Sequence, residues 1–382
     1  MKLSQLCREV GIDSVIAEPG TTAGPTFSAA SDLNDDGGAL LAALGELEIA
    51  EVRDDSRAVQ PGDLFVALSG QSVDGHHYVA EAAARGAVAA VVTHPVALPE
   101  TAASLIQLQV KSAAQALAVI AANRYGRPAD VLTLVGITGT NGKTTTNFLV
   151  ESLLQEAGLV PGLIGTITYR YRGRSYPAPF TTPTALLLHR TLAEMGEQGV
   201  RAVTLETSSH ALALGRLHGV RFRVAAFTNL TQDHLDFHHT MEEYYAAKAS
   251  LFHEHLLPPE LGGMAVLNID DSYGRRLAAE LPAARRLTVS IDGPADISVL
   301  TERISIDGIA ATLRTPIGEV ALSCGMTGRF NLANLAVATG IGVALGLPAV
   351  LIGRAMPFTA RRRMAPCTLA KVSVGMEGRS AA

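Results

Sequence analysis

The chain has 382 residues, 48% of them hydrophobic and 18% charged, with a formal net charge of −5. That length predicts two or three domains, and the composition supports a large core; the acidic balance, with no basic stripe, excludes the electrostatic footprint of a nucleic-acid-binding protein. Three scattered cysteines, Cys7, Cys324 and Cys367, lack metal-ligand spacing and fit a reducing compartment better than a disulfide scaffold.

The opening MKLSQLCREVGIDSV has no apolar segment of signal-peptide length. No run approaches the roughly 18 apolar residues that span a membrane, so a membrane-free cytoplasmic protein is expected. Residues 17–45 are rich in Ala, Gly, Thr and Asp without a period and predict a flexible insertion, with order starting near Ile49. GDLFVAL (62–68) predicts a buried strand, HYVAEAAARG (77–86) a helix ending at Gly86, and AVAAVV (87–92) the next strand. This strand–helix–strand rhythm predicts a small α/β domain with parallel pairing. A helix at 112–126, closed by Gly126 and Pro128, follows it.

A second α/β unit opens at VLTLVGIT (131–138), a near-continuous apolar run of the kind buried on both faces of a sheet. Residues 144–158 predict a helix, with Phe148, Leu149, Leu153 and Leu154 at helical spacing. Strands are expected at 200–206, 224–230 and 263–269, and helices at 240–256 and 331–346. The expected organisation is therefore an N-terminal α/β domain over 1–128 and a central phosphate-loop domain with a mostly parallel sheet over 129–355. An irregular tail over 356–382 loses periodicity and gathers Arg, Pro and Ser.

The chemistry concentrates in GITGTNGKT (136–144). The strict phosphate-loop pattern would place Gly where Ile137 stands. Strand, Gly-rich turn and Gly-Lys-Thr opening a helix nevertheless fall in the order that presents backbone N–H groups and a helix N-terminus to an anion. Lys143 is positioned for the β/γ-phosphates and the Thr144 hydroxyl for Mg²⁺, with Gly139 and Gly142 supplying permissive backbone. Glu206, ending one strand, and Asp233 and His234, following another, should emerge on the same sheet edge. A carboxylate and an imidazole there suit Mg²⁺; read alone, HLDFHH also fits a polar loop or a zinc site. Lys248 alone reads as a solvated helix residue. Asn334 reads as an exposed helix Asn, and Arg216 equally well as a surface Arg or an anion contact.

GITGTNGKTTT (136–146), LETSSHALALGR (205–216), FTNLTQDHLDFH (227–238), YYAAKASLF (244–252), NIDD (268–271) and GRFNLANLAVA (328–338) share an order and spacing. As a set they resemble the Mur ligase family, the ATP-dependent amide-forming enzymes of peptidoglycan synthesis. The resemblance covers roughly 49–355, and the text at 54–92 is most similar to the branch that adds the third amino acid. It implies an N-terminal uridine-nucleotide domain and an ATP-binding central domain. The implied reaction adds meso-diaminopimelate to the D-Glu of UDP-MurNAc-L-Ala-D-Glu through an acyl phosphate, in a cytoplasmic monomer. Its implied ATP contacts are Gly139, Thr140, Asn141, Gly142, Lys143, Thr144, Thr145 and Asn334. Two Mg²⁺ ions would be held by Thr144, Glu206, His234 and a CO₂-carbamylated Lys248; Lys143, His234 and Lys248 would be catalytic. Ser56, Gln71, Ser72 and Val73 would contact the uridine nucleotide, and Thr181, Thr182, Ser208 and Arg216 the muramoyl dipeptide.

The chain departs from that pattern in three places. The family's C-terminal Rossmann-like domain, which receives the incoming amino acid, is expected to be absent; RRRMAP (361–366) is at best a remnant of its junction, which suggests truncation or a frameshift. Thr207 stands where Val is usual. Phe180 stands where Asn is often found, and removes a polar substrate contact. An L-lysine-adding ligase, a folylpolyglutamate-type relative and an inactive nucleotide-binding remnant are the competing readings; the folate relative lacks the uridine domain read at 54–92.

Overall fold

The structure, a computed structural model, describes residues 1–16, 31–32, 47–70, 73–102 and 104–356. Two units divide it. Unit 1 comprises Met1–Val131, Pro183–Gly196 and His210–Arg221; unit 2 comprises Leu132–Thr182, Glu197–Ser209 and the chain from Phe222 onward. The expected flexible insertion at 17–45, apart from the backbone of Ser31–Asp32, lies outside the described residues, as do Gln71, Ser72 and the expected tail beyond Met356. Among the described residues no helix is long and apolar enough to cross a membrane.

In unit 1 six strands, β1 (Ile12–Ile16), β2 (Ser31–Asp32), β3 (Val52–Arg53), β4 (Leu64–Val66), β5 (Ala89–Val92) and β6 (Ile106–Val110), form one sheet in the order β2-β1-β6-β5-β4-β3. Strands β3 to β6 pair in parallel, with the helix Val79–Ala84 between β4 and β5, as the apolar rhythm predicted. Every residue of β4 and β5 is buried. Their period-2 alternation sends Leu64, Val66, Ala89 and Val91 into one core and Phe65, Ala90 and Val92 into another. Order does not begin near Ile49. Leu3 and Leu6 are wholly buried, and β1 pairs antiparallel with β6. The first residues are tied down because the Met1 ammonium donates to the Ile49 carbonyl at 3.0 Å and Leu3 N–H to the Leu47 carbonyl at 2.8 Å.

His189, in the Pro183–Gly196 segment of unit 1, is 1% exposed, and neither ring nitrogen has a hydrogen-bond partner among the described residues. Burial holds its pKa down at about 4, against 6.5 ordinarily. The folded state thus keeps a neutral imidazole where the unfolded chain takes up a proton. Stability is complete above pH ~6.5 and falls as the pH drops toward ~4, by at most about 3 kcal/mol. His189→Leu should flatten that slope in urea titrations run from pH ~4 to ~8; an unchanged slope would assign the acid sensitivity elsewhere.

Unit 2 carries eleven strands in a single sheet. They are β7 (Thr133–Thr138), β8 (Pro161–Ile164), β9 (Thr168–Tyr171), β10 (Arg174–Pro177), β11 (Ala202–Glu206), β12 (Val224–Phe227), β13 (Met264–Asn268), β14 (Arg286–Ser290), β15 (Ile297–Ser305), β16 (Gly308–Thr315) and β17 (Gly318–Cys324). Their order is β10-β9-β8-β11-β7-β12-β13-β14-β15-β16-β17. The run from β8 to β15 is parallel, and an antiparallel hairpin extends each end. The helices Lys143–Glu156 and Arg329–Ala344 fall where 3.6-residue periodicity placed them. Leu149, Val150, Leu153 and Leu154 of the first share a core with Leu332, Leu335, Val337 and Ile341 of the second and with Val135, Ile137, Val224 and Val266 of the sheet. That burial is the main stabilising term of the unit, at about 25 cal/mol per Å² of apolar surface removed from water.

Candidate functional site

The strand order reverses at β7. The chain leaves it toward β8 on one side, and later returns to its other side at β12. In open α/β sheets such a reversal leaves a crevice at the strands' carboxyl ends, where ligands bind. Three segments of unit 2 emerge there: Gly139–Gly142 after β7, Thr207–Ser208 after β11 and Thr228–His234 after β12.

Ile137 is wholly buried inside β7, so the loop proper starts at Gly139 and needs no glycine at the earlier position. Gly139 has φ +146°, and a Cβ on it would lie 1.9 Å from Thr228 Oγ1; Gly142 has φ +86°, and its Cβ would lie 2.3 Å from Asn334 Oδ1. Both positions therefore exclude a side chain. Neighbouring groups pin the loop. Thr140 N–H donates to the Asn229 carbonyl at 2.9 Å, Asn141 N–H to Asn229 Oδ1 at 3.0 Å, and the Thr228 hydroxyl to the Asn141 carbonyl at 2.6 Å. Gly142 caps the helix Lys143–Glu156, whose first turn holds Thr144 and Thr145. The N–H groups of a first helical turn lack intrahelical acceptors, which is what makes such a turn an anion site.

Lys143 Nζ donates to the carbonyls of Gly139 at 2.8 Å and Thr140 at 2.9 Å; burial pulls its pKa down, against the opposing charges of Glu206 and Asp233. Glu206 is 1% exposed. It accepts from the Thr144 hydroxyl at 2.9 Å and from both the N–H and the hydroxyl of Thr166 at 3.0 Å. The Thr144 hydroxyl and the Glu206 carboxylate are hard oxygens beside the loop. They suit Mg²⁺ when phosphate and water supply its other ligands. Among the described residues no three His, Cys, Asp or Glu side chains gather to hold a metal, so HLDFHH does not form a zinc cage there.

Lys248 lies on the helix Met241–His253 and is 2% exposed, not solvated as its residue type alone predicts. Its Nζ donates to the Gly139 carbonyl at 2.9 Å and sits 4.5 Å from the ring centroid of Tyr244, one turn earlier. Burial and the adjacent Lys143 charge drive its pKa well below the ordinary lysine range. The Tyr244 hydroxyl lies 3.2 Å from Thr140 Oγ1, and the His234 ring meets the Tyr244 ring edge-on at 5.9 Å. His234 itself is exposed, in left-handed backbone at φ +52°, where it caps the helix Leu235–His238, with Nε2 3.6 Å from Asp233 Oδ2.

A cleft of about 440 Å³ opens beside the loop, lined by Asn141, Gly142, Thr228, Asn229, Phe330 and Asn334 among others. Asn334 is 6% exposed, and its Nδ2 donates to Asn331 Oδ1 at 3.3 Å. Phe330, missed by sequence reasoning, is 71% exposed and presents a ring to this cleft. Thr166 and Tyr244 were missed as well. For Tyr244 the signal was its four-residue spacing from Lys248; Thr166, in an irregular stretch after β8, had none.

Thr182 and Ser208 adjoin Glu206. The Thr182 hydroxyl donates to the Glu206 carbonyl at 2.7 Å, and Ser208 N–H donates to Thr182 Oγ1 at 2.9 Å. Thr181 Oγ1 is 3.2 Å from Thr166 Oγ1. Phe180 is half-exposed, and its carbonyl accepts the Tyr169 hydroxyl at 2.7 Å. Ser56, Val73 and Arg216 belong to unit 1. Ser56 is buried at the start of a short 3₁₀ turn, with its hydroxyl 3.4 Å from Glu81 Oε2, and Val73 is exposed. Desolvation raises the pKa of Asp54, with the charge of Arg216 opposing it.

A doubly wound sheet with a glycine loop, a lysine and a buried carboxylate at its switch point defines a phosphate-loop α/β protein. More narrowly, the chain belongs to the Mur ligase family: the Mur ligase middle domain matches residues 137–342 and the family's catalytic domain matches 48–125. The chain is 45% identical over 305 residues to the UDP-N-acetylmuramoyl-L-alanyl-D-glutamate--2,6-diaminopimelate ligase of Geobacter metallireducens, covering 79% of this chain and 58% of that one. It is 45% identical over 309 residues to the enzyme of the same name from Synechococcus elongatus, covering 79% and 61%. The chain thus spans about three fifths of the length of these curated relatives. A solved structure of a ligase of that name superposes with a TM-score of 0.67 at 26% identity, over 80% of this chain and 62% of that one.

Gly139→Ala should push Thr228 and the loop apart and weaken binding of a fluorescent ATP analogue by about 10-fold or more; unaltered affinity would mean that nucleotide does not use this loop. Thr207 offers a contrasting change. It is wholly buried, and its hydroxyl has no hydrogen-bond partner among the described residues. Thr207→Val keeps the shape and removes an unpaired polar group, so urea unfolding should show stabilisation by about 1 kcal/mol.

Proposed function

We propose that the protein is an ATP-dependent amide ligase of peptidoglycan precursor synthesis, which joins 2,6-diaminopimelate to the D-Glu carboxylate of UDP-MurNAc-L-Ala-D-Glu. The observation that carries this reading is the convergence of Lys143 and Lys248 on the Gly139 carbonyl, with Lys143 opening the helix whose Thr144 bonds Glu206. The Geobacter metallireducens and Synechococcus elongatus relatives are named as 2,6-diaminopimelate ligases, which favours diaminopimelate over L-lysine as the amine. The substrates are small molecules, a UDP-linked dipeptide, ATP and a free diamino acid, so the reaction belongs to the cytoplasm and needs neither nucleic acid nor membrane; a single chain acts as a monomer.

A carboxylate resists amines at neutral pH because an oxide would have to leave. Transfer of the γ-phosphoryl group to a carboxylate oxygen forms a P–O bond as the bond to ADP breaks. The amine then attacks the carbonyl carbon, inorganic phosphate departs, and the nitrogen loses a proton. The protein's task is to bring two anions into contact. Lys143 and the N–H groups of the first turn of Lys143–Glu156 face the phosphates. Asn334 binds adenine, with Phe330 beside it at the cleft, and Thr145 lines the same turn. Thr144 and Glu206 would hold Mg²⁺, which would supply neutralisation of phosphate charge. A neutral Lys248 amine would add to CO₂ with loss of a proton, and the resulting carbamate oxygen and the His234 imidazole would be the groups to hold a second ion. Thr181, Thr182, Ser208 and Arg216 take the dipeptide, and Ser56, Gln71, Ser72 and Val73 the uridine end.

The test traps the first half-reaction, which requires no incoming amine. ATP, Mg²⁺, UDP-MurNAc-L-Ala-D-Glu and hydroxylamine should yield the hydroxamate, detected by mass spectrometry, and diaminopimelate should divert the acyl phosphate to the tripeptide. Lys143→Ala and Lys248→Ala should each lower the hydroxamate rate by about 10²-fold or more. Absence of both nucleotide binding and hydroxamate would overturn the assignment. Full activity in Lys248→Ala would remove the carbamate from it.

A further inference from the structure

Thr166 lies between the two halves of this site, and neither sequence motifs nor the carried-over roles include it. It follows β8 in unit 2, and its own side chain is exposed. Its N–H donates to Glu206 Oε1 at 3.0 Å, its hydroxyl lies 3.0 Å from Glu206 Oε2, and the same hydroxyl lies 3.2 Å from Thr181 Oγ1. The approach is built into the backbone: a Cβ on the preceding Gly165 would lie 2.2 Å from Glu206 Oε1. One hydroxyl has one proton, and the buried carboxylate is the stronger acceptor. The Thr166 proton therefore favours Glu206, with Thr181 Oγ1 as its alternative acceptor. With Thr144 on the same carboxylate, Thr166 bridges Thr181 and Glu206, and the connection ends where Thr144 enters the helix behind the phosphate loop.

We propose that Thr166 is a positioning residue that fixes the Glu206 carboxylate for the metal–nucleotide complex and, through Thr181, couples occupancy of that site to binding of the UDP-sugar dipeptide. The proposal rests on the ligase reading above, in which Glu206 faces Mg²⁺ and Thr181 the dipeptide. Outer hydrogen-bond partners of a metal ligand are worth about 10-fold or more in metal affinity. Thr166→Val keeps the N–H bond and the shape but deletes the hydroxyl, and Thr166→Ser retains the hydroxyl.

Two binding measurements on the full chain test this without turnover. A fluorescent ATP analogue titrated with Mg²⁺ reads the metal requirement. Calorimetry of UDP-MurNAc-L-Ala-D-Glu, with and without Mg²⁺ and a non-hydrolysable ATP analogue, reads the coupling. Thr166→Val should raise the Mg²⁺ concentration for half-saturation by about 10-fold and abolish any enhancement of dipeptide binding by nucleotide; Thr166→Ser should restore both. A Thr166→Val protein matching wild type in both titrations overturns the proposal while the ligase reading stands. Equal losses in the Val and Ser variants, with a lowered melting temperature, also overturn it, by making the residue merely structural. Wild-type protein that binds no nucleotide at all fails the ligase reading, and this proposal with it.

Discussion

Two lysine side chains share one carbonyl oxygen, that of Gly139. Two ammonium groups at one acceptor repel each other, and burial removes the water that would screen them. The outcome is unequal. Lys143 has the counter-charges of Glu206 and Asp233 in its favour, whereas Lys248, more deeply buried, has Lys143 against it and Asp233 alone in its favour. Both lysines are pulled below the ordinary lysine range, Lys248 the further of the two. The arrangement exists only because Gly139 lacks a side chain, which lets the Thr228 hydroxyl and the carbonyl's two partners close around the same residue.

The scaffold serves that constraint. β7 lies at the centre of the unit 2 sheet with parallel neighbours on both sides, and its carboxyl end delivers the loop. β11 delivers Glu206 at the same level, since Glu206 pairs in register with Ile137. β12 delivers Thr228 and Asn229, which anchor the loop from the opposite side. The core beneath, from Val135 and Ile137 through Leu149 to Leu335, is close-packed aliphatic side chains, so the strand ends cannot drift independently. Precision at the site is thus a consequence of apolar burial some distance away from it.

Much of this was legible in the chain itself. The parallel strands are near-continuous apolar runs, and Gly-Lys-Thr at the start of a helix names its own chemistry. The co-linear motifs carried the family assignment, which the domain matches at 137–342 and 48–125 bear out. What was missed divides by physical cause. β1 and the buried Leu3 and Leu6 depend on pairing with residues some hundred positions away, which no local window contains. The hairpin of β15 and β16 could have been read, since its two-residue turn, Ile306-Asp307, runs into Gly308 and Asp-Gly is a turn signal. The burial of Lys248 and the reach of Thr166 are tertiary facts: a lysine beside Ala and Ser, or a threonine after glycine, looks ordinary until the neighbouring loop is in place.

The make-up of unit 1 has a consequence for how the chain can come to be folded. Two of its pieces, Pro183–Gly196 and His210–Arg221, are encoded after unit 2 has begun, so the polypeptide passes between the units five times. Ala185 belongs to the same core as Leu64 and Leu117. During synthesis, the N-terminal sheet must therefore wait with part of its core uncovered until residue 221 or so has emerged, and neither unit can be excised as an uninterrupted fragment. Stability is interleaved along the chain, and a cleavage at residue 131 would leave the N-terminal fragment without two pieces of unit 1.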